Sequence, residues 1–398
     1  DNQFTPLWNV GLRWNLHREE FMKRWMWVDQ FAVRGGFGYT GSIDKNALPF
    51  VVMTLGQSVI YDGQTVPTSF SYPNPNVKWQ TKQDMNVGLD LSLFDYRLEL
   101  GVNYYNNITR DVLDRKALPY SSGRSEVTEN VADIYNSGWE IDLGVTLLKN
   151  KSFQWYAKAN IAINDNKVKN TYYKDTKDLP KATLSNAHQF VENQPVNGWY
   201  GYKFAGVNPI NGAVMTYTGN GEATLDMSVS GATWPIPSVF YLGNLTPPVV
   251  GGFSTSANWK QLIFSANFEF KTGHKIKSFN TFRSLDARNR HTSEANRWRE
   301  PGDITNVPAM SEAFATYSSY MYDILLEKGN YLRCSYMTLG YNLKPEWLHK
   351  IGFSTARLSF TAKDLFTVSS YSGIDPALMG SFGYPNSRKY TITLNVGF

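Results

Sequence analysis

The amino-acid sequence predicts an all-β protein, a transmembrane antiparallel β-barrel, and three observations lead to that prediction. Apolar and polar residues alternate along segments of about ten residues, the length that a tilted strand needs to cross a bilayer. Very short connections between these segments alternate with very long ones, as they do in outer-membrane barrels. Aromatic residues gather near the strand ends, where interfacial girdles are expected; they are Tyr104, Tyr105, Trp139, Trp259, Tyr390 and Phe398.

The final segment of the sequence, RKYTITLNVGF, shows the alternation clearly. Small or polar residues separate its apolar set, which is Tyr390, Ile392, Leu394, Val396 and Phe398. Since alternate side chains of a strand lie on opposite faces, the segment has one apolar and one polar face. The same pattern in NVGLDLSLFDYRLELGVNYY predicts a hairpin of two long strands joined by a tight turn at Phe94–Asp95.

About thirteen such strands follow one another along the chain, and antiparallel order alternates their directions. The predicted strands are residues 7–17, 29–41, 84–93, 96–107, 137–148, 152–164, 190–204, 212–218, 249–259, 261–271, 330–343, 353–364 and 389–398. This order puts the C-terminus at the periplasmic rim, with the short connections, 205–211 among them, on the periplasmic side and loops such as 108–136 and 271–329 outside. Gly and Pro interrupt the segments 190–204 and 212–218, which fit the pattern least well.

A soluble sandwich, jelly roll or lectin-like β-protein would also show alternating strands, with one face in a core and the other in water. Strands of such proteins are mostly about 5–6 residues long. The longer segments here favour the barrel instead. No run of about 18 apolar residues exists, which excludes a transmembrane helix.

Charge, cysteine and histidine usage exclude other classes of function. The net charge is +5, and no basic run with interleaved aromatic residues indicates a nucleic-acid partner. The single cysteine, Cys334, cannot form an internal disulfide. The histidines lack the spacing of metal ligands or of a catalytic site, so we expect no metal, no cofactor and no catalytic residues. They are His17, His188, His274, His291 and His349.

The strand number predicts that further strands lie upstream of this sequence. Single-chain bacterial barrels have even strand numbers, and an open sheet would leave two unpaired edges in lipid. The sequence also starts just before a strand. We therefore expect residues 1–398 to be the C-terminal portion of a larger barrel with long extracellular loops.

Several motifs resemble those of SusC/RagA-like TonB-dependent outer-membrane transporters of Bacteroidetes. The C-terminal part of the chain is similar to the family's YxRLxxxTLGY strand, its Y.G.DP segment and its aromatic-ended final strand. In this sequence the matching positions are Tyr331–Arg333, Thr338–Tyr341, Asp364–Phe366, Tyr371, Gly373, Asp375–Pro376, Tyr384–Pro385 and Tyr390–Phe398. Upstream, NSGWEIDLGV, NRWREPGDITNVP and FAVRGGFGYTGS also resemble family segments, so the likeness extends over essentially the whole chain.

The resemblance implies a barrel of about 22 strands around a plugged lumen, so roughly nine strands, the plug and the N-terminal extension would lie outside this chain. It also implies active import of oligosaccharides or oligopeptides rather than an enzymatic reaction. A SusD-like lipoprotein would form a lid over the extracellular mouth, and TonB would act through the absent plug. The alternative is a passive porin or structural barrel without energy coupling, surrounded by the same outer-membrane lipid.

Five residues of the predicted extracellular loops are candidates for contact with substrate or lid: Trp234, Tyr241, Arg297, Trp298 and Arg299. Aromatic faces stack on sugar rings, and polar groups fix a ligand's orientation. The alternative interpretation is that these side chains pack within the loops, and Arg299 could pair with Asp303 for structural reasons. A peptide cargo would be held by backbone hydrogen bonds instead.

Two further expectations concern the strands themselves. We expect the inward-facing carboxylates to pair across strands with Arg97 and Lys158; these carboxylates are Asp90, Glu99, Glu140, Asp142 and Glu269. The resemblance implies that the terminal aromatic residue, Phe398, is a signal read by the barrel-assembly machinery.

Overall fold

The computed structural model describes residues 6–42, 52–61, 64–71, 77–118, 121, 126–176, 190–225, 239–278, 292–309, 322–348, 352–379 and 383–398. Its strands are β1 Trp8–Trp14, β2 Val28–Ser42, β3 Val52–Tyr61, β4 Gln64–Ser71, β5 Gln80–Leu93, β6 Leu98–Ala117, β7 Glu126–Lys149, β8 Phe153–Lys169, β9 Gly198–Gly201, β10 Phe204–Val207, β11 Val214–Tyr217, β12 Ala223–Leu225, β13 Phe240–Asn244, β14 Val249–Trp259, β15 Leu262–Thr272, β16 Lys275–Lys277, β17 Leu326–Lys328, β18 Tyr331–Asn342, β19 Thr355–Ser369 and β20 Lys389–Gly397. A short α-helix in the described part of the chain, α1, spans Pro345–Leu348. Short 3-10 helices span Leu16–Arg18, Glu20–Met22, Thr292–Asn296, Asp323–Leu325 and Pro376–Leu378. No helix among the described residues is long and apolar enough to span a membrane.

Among the described residues, eleven antiparallel strands form the wall, in the order β1-β2-β5-β6-β7-β8-β14-β15-β18-β19-β20. The prediction of about thirteen strands was therefore too high. β8 pairs directly with β14, from Val249 opposite Ile163 to Trp259 opposite Phe153, and the segments 190–204 and 212–218 take no part in the wall. The strands within those segments are only 4 residues long, because Gly and Pro break them. The connection 205–211 accordingly lies among the loops and is not a periplasmic turn.

The predicted hairpins and their faces are confirmed in the wall. In β5 and β6, Leu89 lies opposite Val102 and Leu91 opposite Leu100, so the apolar residues of both strands share one face. In β20 that face is well exposed, with Ile392 at 75 % and Leu394 at 61 %. An apolar face of this kind is what a barrel presents to lipid, and the polar face lines the lumen.

The connections also follow the predicted alternation of short and long. Tight turns join β5 to β6 at 94–97, β7 to β8 at 150–152 and β14 to β15 at 260–261, and all three lie at the same end of the sheet. The predicted loop at 108–136 is largely strand, because β6 has 20 residues and β7 has 24. Of the predicted girdle aromatics, Tyr104 and Trp139 pack together on the apolar face at 4.9 Å between ring centroids. Tyr105 faces the lumen instead.

The short strands β9 to β13 and β17 belong to a second unit, here named the loop assembly, at the end of the sheet opposite the tight turns. It comprises residues 190–225, 239–248, 292–309 and 322–328. Strands β9 and β13 pair, as do β10, β11 and β12. Its core is an aromatic and aliphatic cluster that buries Val191, Tyr200, Tyr202, Val214, Val239, Tyr322 and Leu325. These residues are far apart in sequence, so burial of this cluster is what holds the loops in one arrangement.

Candidate functional site

A cavity of about 540 Å³ lies where the upper ends of β7 and β8 meet the loop assembly, and we name it the mouth cavity. Its floor is the luminal face of the two strands. Its sides are the segments 193–197 and 244–248, together with Tyr241 of β13. The lining residues are Ile134, Asn164, Asp165, Asn166, Lys167, Asn193, Pro195, Val196, Asn197, Tyr241, Asn244, Thr246, Pro247 and Pro248.

Backbone hydrogen bonds fix one side of the mouth cavity to β8. The Val168 N–H donates to the Gln194 carbonyl at 2.8 Å, and the Asn193 N–H donates to the Val168 carbonyl at 2.9 Å. The Val196 N–H donates to Asn166 Oδ1 at 2.9 Å. The segment 193–197 therefore continues the sheet beyond the point where β14 ends its pairing with β8.

The segment 244–248 is held in the same way on the other side. The Asn164 N–H donates to the Pro248 carbonyl at 2.8 Å, and the Leu245 N–H donates to the Asn197 carbonyl at 2.9 Å. Asn197 Nδ2 also donates to Thr246 Oγ1 at 3.1 Å. Both sides are fixed to the strands and to each other, so the protein's own contacts hold the lining of the cavity in place.

Of the four sequence-predicted candidates within the described residues, Tyr241 alone lines the mouth cavity. Its ring packs against Tyr200 with the ring centroids 5.9 Å apart, and its hydroxyl donates to Asn244 Oδ1. Burial raises the pKa of Tyr241 to about 12, and burial together with the neighbouring Tyr241 raises the pKa of Tyr200 as well. Both hydroxyls are therefore neutral at physiological pH, and the Tyr241 hydroxyl is a hydrogen-bond donor.

Trp298 packs inside the loop assembly rather than at the mouth cavity. Its Nε1 donates to the Pro209 carbonyl at 3.1 Å, and its backbone N–H donates to the Val307 carbonyl at 2.9 Å. Gly212 lies directly against the ring, where an added Cβ would come within 2.4 Å of Trp298 Cε3. The indole therefore holds two turns of the loop assembly together, as the alternative interpretation proposed.

The two arginines beside Trp298 also have structural contacts. Arg297 forms an isolated bridge with Val307. The Arg299 guanidinium donates to the Ala295 carbonyl at 2.9 Å, and Asp303 accepts from the Arg299 backbone N–H at 2.8 Å rather than from its side chain. Neither arginine lines the mouth cavity. The fifth candidate, Trp234, lies outside the described residues.

A second depression, the luminal groove, crosses β7, β8, β14 and β15 and has a volume of about 660 Å³. Its polar lining includes Glu140, Asp142, Lys158, Asn160, Ser254, Asn267, Glu269 and Lys271. There is no room for a side chain at Gly252, because an added Cβ would lie 2.7 Å from the Phe268 carbonyl oxygen. The floor of the groove therefore has no side chain at this position. The groove is a polar strip in the barrel lumen.

The carboxylates of this face have contacts that differ from the predicted ones. Within the described part of the chain, Asp90 pairs with Arg13 at 3.0 Å and Arg34 at 3.6 Å, not with Arg97. Glu140 accepts from Asn103 Nδ2 at 3.2 Å rather than pairing with Lys158. Residues directly opposite or diagonal on one face set these contacts, and β1 contributes Arg13 to a position that sequence spacing did not reveal.

Arg333 and Asp375 form a buried ion pair that sequence reasoning missed, although both stand in quoted motifs. Arg333 Nη2 lies 2.5 Å from Asp375 Oδ1, and the side chains are 5 % and 8 % exposed. The same carboxylate accepts from the Ala377 N–H at 2.9 Å. Tyr371 donates from its hydroxyl to the Lys277 carbonyl at 3.2 Å. The segment after β19 is thereby fastened to the inner face of the wall.

Phe398 is 93 % exposed and packs edge-on against Phe353, with the ring centroids 5.1 Å apart. It lies at the same end of the sheet as the tight turns, because the Ser354 N–H donates to the Gly397 carbonyl at 2.9 Å. Its role as an assembly signal stays a prediction. Within the described ranges, no cluster of three or more His, Cys, Asp or Glu side chains could hold a metal ion.

Sequence reasoning also missed the asparagines of the mouth cavity. Asn164, Asn197 and Asn244 stand in three separate segments, and only the fold brings them together. A weak signal was present, since NQPVN and NLTPP each combine Asn with Pro where a strand pattern stops.

Comparison with known proteins gives one family and several relatives. Residues 1–269 match the family described as TonB dependent receptor-like, beta-barrel. TonB-dependent receptor P3 of Formosa agariphila is 28% identical over 100% of this chain and 42% of its own length. TonB-dependent receptor SusC of Bacteroides thetaiotaomicron is 22% identical over 100% of this chain and 40% of its own length. The chain thus spans about two fifths of the length of these curated relatives.

The chain is also similar to solved structures over nearly its whole length. The chain is similar to the RagAB peptide transporter, with a TM-score of 0.77 and 25% identity over 98% of this chain and 43% of that chain. It is equally similar to the RagAB peptide importer in the 'open-open' state, with a TM-score of 0.78 and 25% identity over 98% and 42% of the two chains.

Proposed function

Because the chain belongs to the TonB-dependent receptor-like β-barrel family, we propose that it forms the C-terminal part of an active outer-membrane importer. Residues 1–398 would supply barrel wall and extracellular loops, and the plug and N-terminal extension would lie outside them. The cargo would be oligosaccharides or oligopeptides. The family is one of receptors and transporters, so we expect transport without a catalysed reaction.

The observation that carries this proposal is the likeness to the RagAB peptide transporter over 98% of the chain. The eleven wall strands and the loop assembly both fall within that likeness, so it includes the part of the molecule where cargo would enter. In addition, β1 and β20 each pair with one neighbour among the described strands. Further strands pairing with both edges would complete a barrel that lipid tolerates.

The proposal includes an orientation in the membrane. The tight turns and Phe398 lie at one end of the wall, and the loop assembly lies at the other. Outer-membrane barrels have short periplasmic turns and longer extracellular loops. The C-terminus would therefore lie at the periplasmic rim, and the mouth cavity would open toward the cell exterior.

Two partners follow from this orientation. A SusD-like lipoprotein would cover the loop assembly as a lid, and the TonB complex would act through the plug. The loop assembly supports the first partner because its buried core gives the mouth a fixed surface. Trp298 would support that surface from within through its bond to Pro209.

Uptake measured with and without TonB tests the proposal against a passive porin. The full-length protein would be expressed in a strain that lacks its own copy, and uptake of labelled oligosaccharide and oligopeptide mixtures would be compared in TonB-positive and TonB-negative cells. We expect uptake of one cargo class only in TonB-positive cells. Uptake that is equal in both strains would support the porin and contradict active import.

A further inference from the structure

The mouth cavity presents carboxamide groups that are held in place by their other contacts. Asn164 Oδ1 accepts from the Tyr105 hydroxyl at 2.7 Å, and Asn244 Oδ1 accepts from the Tyr241 hydroxyl. In this arrangement each tyrosine holds the carboxamide by its oxygen, which leaves the NH₂ group as a donor. Within the described residues, the two NH₂ groups have no partner of their own.

Asn193 and Asn197 add further polar groups to the lining. Asn193 Oδ1 accepts from Lys169 Nζ, which again leaves an NH₂ group as a donor. Asn197 uses its Nδ2 to donate to Thr246 Oγ1 at 3.1 Å, which leaves its Oδ1 as an acceptor. The one nearby carboxylate, Asp165, is already paired with Lys167 at 2.7 Å. The lining therefore offers several neutral donors and an acceptor, and its opposite charges are paired with each other.

The surfaces between these amides are apolar and mostly not aromatic. They are formed by Ile134, Pro195, Val196, Pro247 and Pro248. Tyr241 is the single aromatic residue of the described lining, and its ring packs against Tyr200. Such walls accept aliphatic side chains, but they give a sugar ring little flat aromatic surface on which to stack.

We propose that the mouth cavity binds the main chain of a short peptide. Its carbonyl groups would accept from the NH₂ groups of Asn164, Asn193 and Asn244, and one of its N–H groups would donate to Asn197 Oδ1. Side-chain carboxamides carry the same donor and acceptor groups as the peptide bond, which makes them suitable partners irrespective of peptide sequence. The volume of about 540 Å³ lies within the range of about 300–1,000 Å³ for sites that enclose small ligands. This inference rests on the proposed function, because it names the cargo class of the importer.

Isosteric substitutions test the donors without removing the tyrosine contacts. Asn164→Asp and Asn244→Asp each keep an oxygen for the tyrosine hydroxyl and replace the NH₂ donor by a second acceptor. Asn211→Asp is the matched control, because Asn211 Oδ1 accepts from the Ala213 N–H at 3.1 Å in an exposed turn away from the cavity. The full-length transporter, purified with its surface lipoprotein in detergent, would be titrated with end-blocked random octapeptides and separately with a mixture of neutral oligosaccharides.

We expect peptide binding that each cavity substitution weakens by about tenfold, the effect of about 1.4 kcal/mol, while the control stays within about twofold of the wild type. Equal affinity in all variants would overturn the assignment of the cavity. Binding of oligosaccharides and not of peptides, or of neither, would overturn the cargo class. TonB-dependent uptake by the wild type in cells is measured in parallel. If the wild type shows TonB-dependent uptake, the proposed function stands whatever the binding results are. If it shows no TonB-dependent uptake, the proposed function itself is contradicted.

Discussion

Replacing Asp375 by alanine should release the segment 370–379 from the inner face of the wall. The carboxylate is buried and lies 2.5 Å from Arg333 Nη2. It also accepts from the Ala377 N–H at the start of the 3-10 helix Pro376–Leu378. The substitution therefore removes an ion pair and a helix cap together, and it leaves a buried guanidinium with one partner fewer.

The structure sets the size of the effect. Removing one partner of a buried ion pair costs about 3–5 kcal/mol. Arg333 keeps two other contacts, from Nε to Thr367 Oγ1 at 3.1 Å and from Nη1 to Glu269 at 4.0 Å. We therefore expect the lower end of the range, about 3 kcal/mol, which corresponds to an increase of about 100-fold in the opening equilibrium of the segment.

Hydrogen–deuterium exchange of the full-length protein in detergent measures this opening. Amides of the segment 370–379 should exchange about 100-fold faster in Asp375→Ala, and amides of β20 should be unchanged. Glu269→Gln is the control, since it weakens only the long 4.0 Å contact with Arg333 and keeps an oxygen for the Tyr331 hydrogen bond, so it should change exchange little. Unchanged exchange at 370–379 in Asp375→Ala would refute the reasoning. Faster exchange in both regions would mean that the pair holds the wall and not the segment.

Three other predictions concern the wall and the loop assembly. Leu394→Arg should destabilise the barrel by about 2–4 kcal/mol if Leu394 faces mid-bilayer lipid, whereas Asn395→Arg on the luminal face should not destabilise it. Urea unfolding in lipid vesicles measures the stability of both variants. Equal effects of the two substitutions would contradict the assigned faces. Deletion of Phe398 should lower the amount of assembled protein in the outer membrane, measured by heat-modifiable mobility, and wild-type levels would count against an assembly role. The pKa of Tyr241 is raised to about 12, against 10.0 for an ordinary tyrosine, so the neutral hydroxyl favours the folded loop assembly. This stabilisation is complete below pH 10 and is lost as the pH rises toward 12. Ultraviolet titration of tyrosinate should show one late-titrating group fewer in Tyr241→Phe, and an unchanged titration would place that group elsewhere.

The wall could be predicted from the sequence because its rule is local. In β14 and β20 residues that face lipid alternate with residues that face the lumen. A window of about ten residues is therefore enough to predict such a strand. The family resemblance was equally readable, since its motifs are contiguous. The segments 190–204 and 212–218 could not be assigned in this way. Their strands are 4 residues long, and pairing within the loop assembly, rather than the alternation, decides where they lie.

The candidate site was only partly predictable for a related reason. Tyr241 was selected on aromatic character alone; it lines the mouth cavity, and its contact with cargo or lid stays a prediction. Asn164 and Asn244 belong to separate segments and meet only after β8, β13 and the loop assembly have folded. Trp298 and Asp375 likewise have partners remote in sequence, at Pro209 and Arg333, and no spacing rule connects such pairs.

The unequal lengths of neighbouring strands give the rim of the wall a step. β8 has 17 residues and its neighbour β14 has 11, so at about 3.4 Å per residue β8 extends about 20 Å further. β8 continues from Ile163 to Lys169, whereas β14 begins at Val249, directly opposite Ile163. The mouth cavity occupies the notch that this difference leaves. A longer β14 would pair with the rest of β8 and fill the notch with ladder hydrogen bonds, even if every lining side chain were kept. In this molecule, the capacity to enclose a ligand is therefore encoded in the length of a strand as much as in the chemistry of its residues.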